Sequence, residues 1–134
     1  MAFRYRRRVQ FAETDLHGIV HFSMYFRFME EAEHALWRAA GLTIERAGAE
    51  TGWPRVSAAF DYKHPLRFED EFDVEVRIAA TTRRTIQYGF TMTLGETCIG
   101  RGTLTTAYVR KDGPGLHAVE LPPGVIARLE EAMS

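Results

Sequence analysis

Apolar and polar residues alternate over residues 3–12, which predicts a strand with one buried face. Arg7 interrupts the apolar side, and the other arginines form a stripe on the opposite side. We interpret that stripe as a solvated sheet face in preference to an anion-binding site. The apolar positions of this strand are Phe3, Tyr5, Val9 and Phe11.

The apolar period changes to that of a helix over residues 22–40. Phe26 and Trp37 widen the apolar side, so the helix is predicted to be well buried. Ser23 is the predicted N-cap, and Gly41 is the predicted stop at the C-terminal end. Glu30 and Glu31 lie on the polar side, where exposure to solvent is expected. The apolar face consists of Tyr25, Phe28, Met29, Ala32, Ala35, Leu36 and Ala39.

The rest of the chain is predicted to consist mainly of strands joined by hairpins. Short helices are expected over residues 43–49 and 122–132, with a loop over residues 111–114. One buried helix and five strands predict an α+β fold, in which an antiparallel five-stranded curved sheet is wrapped around a long central helix. Such a sheet keeps free edges, so self-association is expected. The later strands are predicted over residues 56–63, 72–80, 86–94 and 97–109.

Length and composition fit one globular domain over residues 1–134. A net charge of −1 argues against nucleic acid as the main partner. No apolar run approaches the roughly 20 residues of a membrane span, and residues 1–8 show no signal peptide. Cys98 is the single cysteine, so an intrachain disulfide is impossible and a reducing, cytoplasmic location is expected.

A candidate site lies between the first strand and the long helix. Residues 13–22 read Glu-Thr-Asp-Leu-His-Gly-Ile-Val-His-Phe, which places Asp15 before a glycine turn and a helix start. That arrangement aims a carboxylate and free N–H groups at the same substrate atom. An aspartate before a glycine is by itself more often a turn residue, so the wider motif has to decide.

The wider motif contains Phe11, Thr14-Asp15, Gly18-Ile19-Val20, His21 and Tyr25, with Pro-Leu-Arg-Phe-Glu-Asp at residues 65–70. In this it resembles the hotdog-fold acyl-CoA thioesterases of the 4-hydroxybenzoyl-CoA thioesterase type, over nearly the whole chain. Glu13, Phe22 and Met24 stand where these proteins often have aspartate, histidine and asparagine. The resemblance is specific for the family and says little about the acyl group.

The resemblance implies a catalytic site for thioester hydrolysis. Asp15 is expected to act as general base or as nucleophile. The backbone N–H of Phe22 is expected to polarise the thioester carbonyl, helped by the helix dipole. Gly18 lets the backbone turn and the substrate approach.

The same resemblance implies substrate contacts, each with a plainer alternative. His21 and Tyr25 are expected beside the acyl group, together with His64, which as a loop histidine can equally be a surface residue. Arg83 and Arg84 are expected at the CoA phosphates, since guanidinium pairs bidentately with phosphate oxygens. A solvated hairpin tip explains these two arginines equally well. The implied assembly is a homodimer or homotetramer with the active site at the subunit interface.

Other chemistries are less well supported. His17 and His21 have the spacing of a helical metal site, but the intervening Gly18-Ile19-Val20 argues against a helix, so we predict no metal. No cofactor motif is present, and none of the three serines lies in a Gly-x-Ser-x-Gly turn.

Two alternative functions remain on the same fold. A hotdog enoyl-CoA hydratase would need a different loop motif, with Asn-Pro near its aspartate. A non-catalytic acyl-CoA-binding module is disfavoured by the intact Asp15 and glycine turn. An aryl and a medium-chain acyl group suit the aromatic residues around the motif equally.

Overall fold

The protein is described by a computed structural model that covers residues 1–44 and 48–133. Two α-helices and eight β-strands follow one another within these residues. The helices are α1 (Met24–Ala39) and α2 (Val125–Ala132). The strands are β1 (Phe3–Arg8), β2 (Thr51–Gly52), β3 (Arg55–Tyr62), β4 (Glu71–Thr81), β5 (Thr85–Leu94), β6 (Thr97–Ala107), β7 (Val109–Asp112) and β8 (Gly115–Ala118).

The predicted five-stranded antiparallel sheet and its central helix are confirmed. The strand order is β1-β4-β5-β6-β3, so β1 and β3 are the edges. The apolar side of α1 lies on one sheet face, where Phe28 packs on Phe72 of β4 with ring centroids 4.9 Å apart. Burying each such large side chain contributes about 1.5–3 kcal/mol, which makes this layer the main source of stability.

Several predicted boundaries are wrong in detail. β1 ends at Arg8, and Phe11–Glu13 form a 3-10 turn that leaves the Phe11 side chain 73% exposed. The last predicted strand breaks at Tyr108, because β7 leaves the main sheet and pairs with β2 and β8. Residues 111 and 112, expected in a loop, therefore belong to a strand.

The predicted helices also need correction at their ends. Ser23 occupies the N-cap position of α1, but its side chain makes no capping hydrogen bond. α2 begins at Val125, three residues later than predicted, after two prolines and a left-handed Gly124. In the helix expected over residues 43–49, positions 43, 44, 48 and 49 are not helical, and residues 45–47 lie outside the described part.

The stripe of arginines on β1 is a solvated face, as interpreted from the sequence. Each arginine is exposed and pairs with an acidic residue of the neighbouring β4. Such exposed pairs contribute little, with a typical value below about 1 kcal/mol each. The pairs are Arg4 with Glu75, Arg6 with Asp73 and Arg8 with Glu71.

A buried polar network joins α1 to the sheet, and the sequence pattern did not indicate it. Glu33 is 0% exposed and accepts hydrogen bonds from Arg55 at 2.5 and 3.1 Å. Trp37 donates to the Tyr88 hydroxyl at 2.9 Å beside it. Glu30, expected to be simply solvated, also pairs with Arg55 at 3.2 Å.

This network predicts a pH-dependent stability. Burial raises the pKa of the Glu33 carboxyl above its ordinary value, although Arg55 opposes the shift. Between the ordinary pKa and the raised one, the folded protein holds a proton that the unfolded chain has released. The free energy of unfolding therefore falls as pH rises through that window, and the stabilising contribution is complete below the ordinary pKa.

Urea unfolding of Glu33→Gln at a series of pH values checks this. We expect the decline in stability to be weaker in the variant, because the titrating group is gone. The matched control is Glu30→Gln, whose half-exposed side chain lies in the same cluster. An unchanged pH dependence in Glu33→Gln contradicts the prediction.

Within the described residues, no helix combines the length and the apolar character required to cross a bilayer.

Candidate active site

The segment around Asp15 is a closed turn. The Asp15 N–H donates to the Ile19 carbonyl at 2.8 Å, and the Gly18 N–H donates back to the Asp15 carbonyl at 3.0 Å. Gly18 has a φ of +79°, where any other residue type would be strained. A bridge between Thr14 and Val20 closes the base of the turn. Asp15 is therefore held on a short, internally bonded loop, as the motif predicted.

One of the two carboxylate oxygens of Asp15 is hydrogen-bonded within this turn. Its Oδ1 accepts the His17 N–H at 2.9 Å, which fixes the orientation of the side chain. For Oδ2, no donor exists among residues 1–44 and 48–133. One carboxylate oxygen is thus available to a substrate or a water molecule.

A pocket of about 420 Å³ opens between this turn, the start of α1 and the end of β3. It brings together four of the predicted site residues, Asp15, Phe22, Tyr25 and His64. The His64 ring nitrogen Nδ1 lies 2.9 Å from the Pro65 carbonyl. The complete lining is Asp15, Ile19, Val20, Phe22, Tyr25, Tyr62, Lys63, His64 and Pro65.

The Phe22 N–H lies just before the start of α1, at a residue that lines the pocket. The His21 N–H donates to the Glu13 carbonyl at 2.9 Å, and the Met24 N–H donates to the His21 carbonyl at 2.9 Å. The Phe22 N–H between them has no acceptor in the described parts of the chain. A free N–H at a helix start carries partial positive charge, so it can stabilise a developing oxyanion.

Three aromatic rings, Tyr25, Phe60 and Tyr62, form what we call the aromatic shelf. The Tyr25 ring stacks on Phe60 at 5.0 Å and meets Tyr62 edge-on at 5.3 Å. The Phe60 ring can lie against β6 because residue 100 of that strand is glycine. A Cβ on Gly100 would come within 2.5 Å of the Phe60 ring. The shelf gives the pocket a flat apolar wall.

The Tyr25 hydroxyl is the polar end of this wall. It accepts the Leu66 N–H at 3.4 Å, and the residue as a whole is buried. Burial raises the pKa of Tyr25 above its ordinary value. The phenol therefore stays protonated at neutral pH and can donate a hydrogen bond to a substrate oxygen.

A buried ion cluster supports the turn from below. Arg7, the residue that interrupts the apolar side of β1, bonds both carboxylate oxygens of Glu13 and also contacts Glu31 of α1 at 2.9 Å. Its guanidinium lies 4.8 Å from the Phe28 ring centroid. Glu13 also accepts the Gln10 N–H at 2.8 Å. Because Glu13 lies two residues before Asp15, this cluster anchors the turn to the core.

The sequence carried only a weak signal for that cluster. An arginine on the apolar side of a strand, with acidic residues in the following turn and helix, is the pattern that could have indicated it. Glu31, which the sequence pattern places in solvent, binds Arg7 and accepts a hydrogen bond from the Tyr5 hydroxyl at 3.1 Å.

The other predicted contact residues lie outside the pocket lining of this chain. His21 is exposed, with Nδ1 at 2.8 Å from the Ser23 hydroxyl and its ring 4.6 Å from that of Phe22. Arg83 and Arg84 lie in the turn before β5, where Arg83 pairs with Glu120 at 2.7 Å. Their roles in substrate binding remain predictions.

Comparisons with known proteins identify the family of this chain. The model of the thioesterase-like superfamily matches residues 9–129. A protein of Aquifex aeolicus with the provisional name of esterase is 33% identical over 134 residues, which is 98% of this chain and all of its own. The 1,4-dihydroxy-2-naphthoyl-CoA hydrolase of Synechococcus elongatus is 27% identical over 84 residues, 60% of this chain and 62% of its own.

Solved structures show the same fold. A structure described as a gentisyl-coenzyme A thioesterase superimposes with a TM-score of 0.83 at 26% identity, over 92% of this chain and 99% of its own. The sheet order, the central helix and the matched family model therefore lead to one conclusion. The chain has the hotdog fold and belongs to the thioesterase-like superfamily.

Proposed function

We propose that this protein is an acyl-CoA thioesterase, which hydrolyses its substrate to a free acid and CoA. The observation that carries the proposal is one pocket lined by Asp15, with a free carboxylate oxygen, and by Phe22, with a free N–H at a helix start. These are the two groups that thioester hydrolysis requires. The names of the related CoA hydrolases support the same chemistry.

The reaction needs a base or nucleophile and an oxyanion donor, but no strong acid. A thiol has a pKa of about 8.5, so the thiolate leaves readily. As a base, Asp15 removes a proton from water while the water oxygen bonds to the carbonyl carbon. As a nucleophile, it forms a mixed anhydride that water then hydrolyses. In both routes the C–S bond breaks, CoA leaves as the thiolate, and the Phe22 N–H binds the carbonyl oxygen as it gains charge.

We propose that the acyl group is an aryl group with a polar substituent. The aromatic shelf offers a flat wall for a ring, and the Tyr25 hydroxyl and His64 offer polar partners in the same pocket. Two relatives are named for dihydroxyaryl CoA esters, which favours the same class. Medium-chain acyl groups are the comparison that tests this preference.

The proposed activity is tested by following free thiol release from aromatic and aliphatic acyl-CoAs. We expect hydroxyaryl esters to give the highest kcat/KM of the panel. Equal or better turnover of medium-chain esters contradicts the aryl preference. Tight binding of CoA esters without any thiol release points instead to a non-catalytic binding module.

We also propose that the active protein is a homodimer or homotetramer formed through β3. This strand is a sheet edge, and its apolar residues Val56 and Tyr62 remain 58% and 49% exposed. Unpaired edges of this kind readily add a second strand. Because β3 leads directly into pocket residues Lys63 and His64, the active site would then lie near the subunit interface.

Sedimentation of wild type and Val56→Lys tests the assembly. We expect an oligomer for wild type and a shift toward monomer for the variant, since a charge at an exposed apolar position opposes burial. Val119→Lys, outside the strands, is the control. A monomeric wild type at micromolar concentration contradicts the proposal.

A further inference from the structure

Tyr62 makes one hydrogen bond that links the edge strand to the start of α1. Its hydroxyl donates to the Phe22 carbonyl at 2.8 Å. The two residues are forty positions apart in the chain, and both line the pocket. The ring of Tyr62 is held separately, by edge-on contacts with Tyr25 at 5.3 Å and Phe60 at 4.9 Å.

Two peptide groups flank the Phe22 Cα, and all their N–H and carbonyl groups except the Phe22 N–H make hydrogen bonds within the described residues. In the group before it, the His21 carbonyl accepts the Met24 N–H at 2.9 Å. In the group after it, the Ser23 N–H donates to His21 Nδ1 at 3.3 Å, and the carbonyl accepts the Tyr62 hydroxyl. The two bonds to His21 join residues that are close together in the chain. Tyr62 supplies the contact with the main sheet.

We propose that Tyr62 is a positioning residue. It fixes the Phe22 carbonyl and so limits rotation at the Phe22 Cα, which keeps the Phe22 N–H of the preceding peptide group directed at the thioester carbonyl. The inference rests on the proposed function of the Phe22 N–H. Without the hydroxyl, the Phe22 carbonyl can turn toward water. The preceding peptide group, which carries the Phe22 N–H, is joined to it at the Phe22 Cα and is then less restrained. An oxyanion donor acts mainly in the transition state, so its misplacement lowers kcat more than it changes KM.

Tyr62→Phe is the matched test, because it removes the hydroxyl and keeps the ring on the aromatic shelf. We expect kcat to fall about tenfold, the effect of one hydrogen bond, with KM changed less than about twofold. The control is Tyr108→Phe, which makes the same change at a ring that packs on Trp53 away from the pocket. It should leave both constants unchanged.

A second readout does not depend on activity. Amide hydrogen exchange at Ser23 and Met24, whose N–H groups are bonded to His21, should be faster in Tyr62→Phe than in wild type, while exchange in β5 stays the same. A rise in KM with kcat unchanged overturns the proposal, since the hydroxyl would then bind substrate directly. Unchanged kcat, or unchanged exchange at Ser23 and Met24, overturns it as well.

The two readouts separate this inference from the proposed function. If wild type releases no thiol from any ester of the panel, acyl-CoA hydrolysis is the proposal that fails. Exchange at Ser23 and Met24 then decides whether Tyr62 holds this segment. If wild type is active and Tyr62→Phe equals it in kcat, the positioning role fails alone.

Discussion

Asp15→Asn is expected to lower kcat at least about 10²-fold toward every ester that wild type hydrolyses. Asparagine keeps the shape of the side chain, and its oxygen can still accept the His17 N–H that orients Asp15. The turn should therefore survive. What is lost is the negative charge and the basic oxygen that either a general base or a nucleophile requires.

The measurement is free thiol release at saturating substrate, with urea unfolding to confirm that stability is retained. Asp112→Asn is the control, because it makes the same change in β7. It should keep wild-type turnover. Full activity in Asp15→Asn would remove Asp15 from the mechanism, whichever ester is used.

Arg7→Met is expected to lower the free energy of unfolding by about 3–5 kcal/mol. The arginine side chain is 12% exposed and neutralises Glu13, which is 7% exposed. Methionine fills much of the volume but leaves that buried carboxylate without its partner. Removing one member of a buried pair costs more than the pair contributes, because the remaining charge stays desolvated.

Urea unfolding checks the size of this effect. Arg4→Met is the control on the same strand, where the side chain is 64% exposed and its pair with Glu75 should matter by less than about 1 kcal/mol. The double variant Arg7→Met with Glu13→Gln should recover part of the loss, since the more deeply buried of the two carboxylates that pair with Arg7 is then neutral. Equal losses in Arg7→Met and Arg4→Met would contradict the prediction.

Much of the fold followed from local periodicity. The helix of residues 22–40 and the strand of residues 86–94 were predicted within two residues of their observed ends, because their apolar positions repeat with a clear period. The predicted element boundaries were wrong where pairing between distant strands decides the structure. β7 and β8 exist because residues 109–112 find partners in a second sheet, which no local pattern records.

Some residues of the candidate site were likewise predictable from the sequence, and others were not. Asp15, Gly18 and Tyr25 belong to one motif, so a sequence could place them together, and the structure puts Asp15 and Tyr25 on one pocket. Tyr62 ends a strand about forty residues later in the chain, and Lys63 follows it directly. Their arrival at the pocket depends on the register between β3 and β6, in which Tyr62 lies opposite Gly100.

By itself, the sequence determined the long helix, the five strands of the main sheet and most of the faces that they bury, and it placed Asp15 on a glycine turn before a helix. Those properties depend on residues close together in the chain. Only the tertiary structure decided that Arg7 and Glu13 are a buried pair, that Glu33 is buried with Arg55, and that Tyr62 holds Phe22. A charged or hydroxyl side chain is a surface residue by pattern alone, and it becomes a buried one when folding supplies a partner that offsets its desolvation.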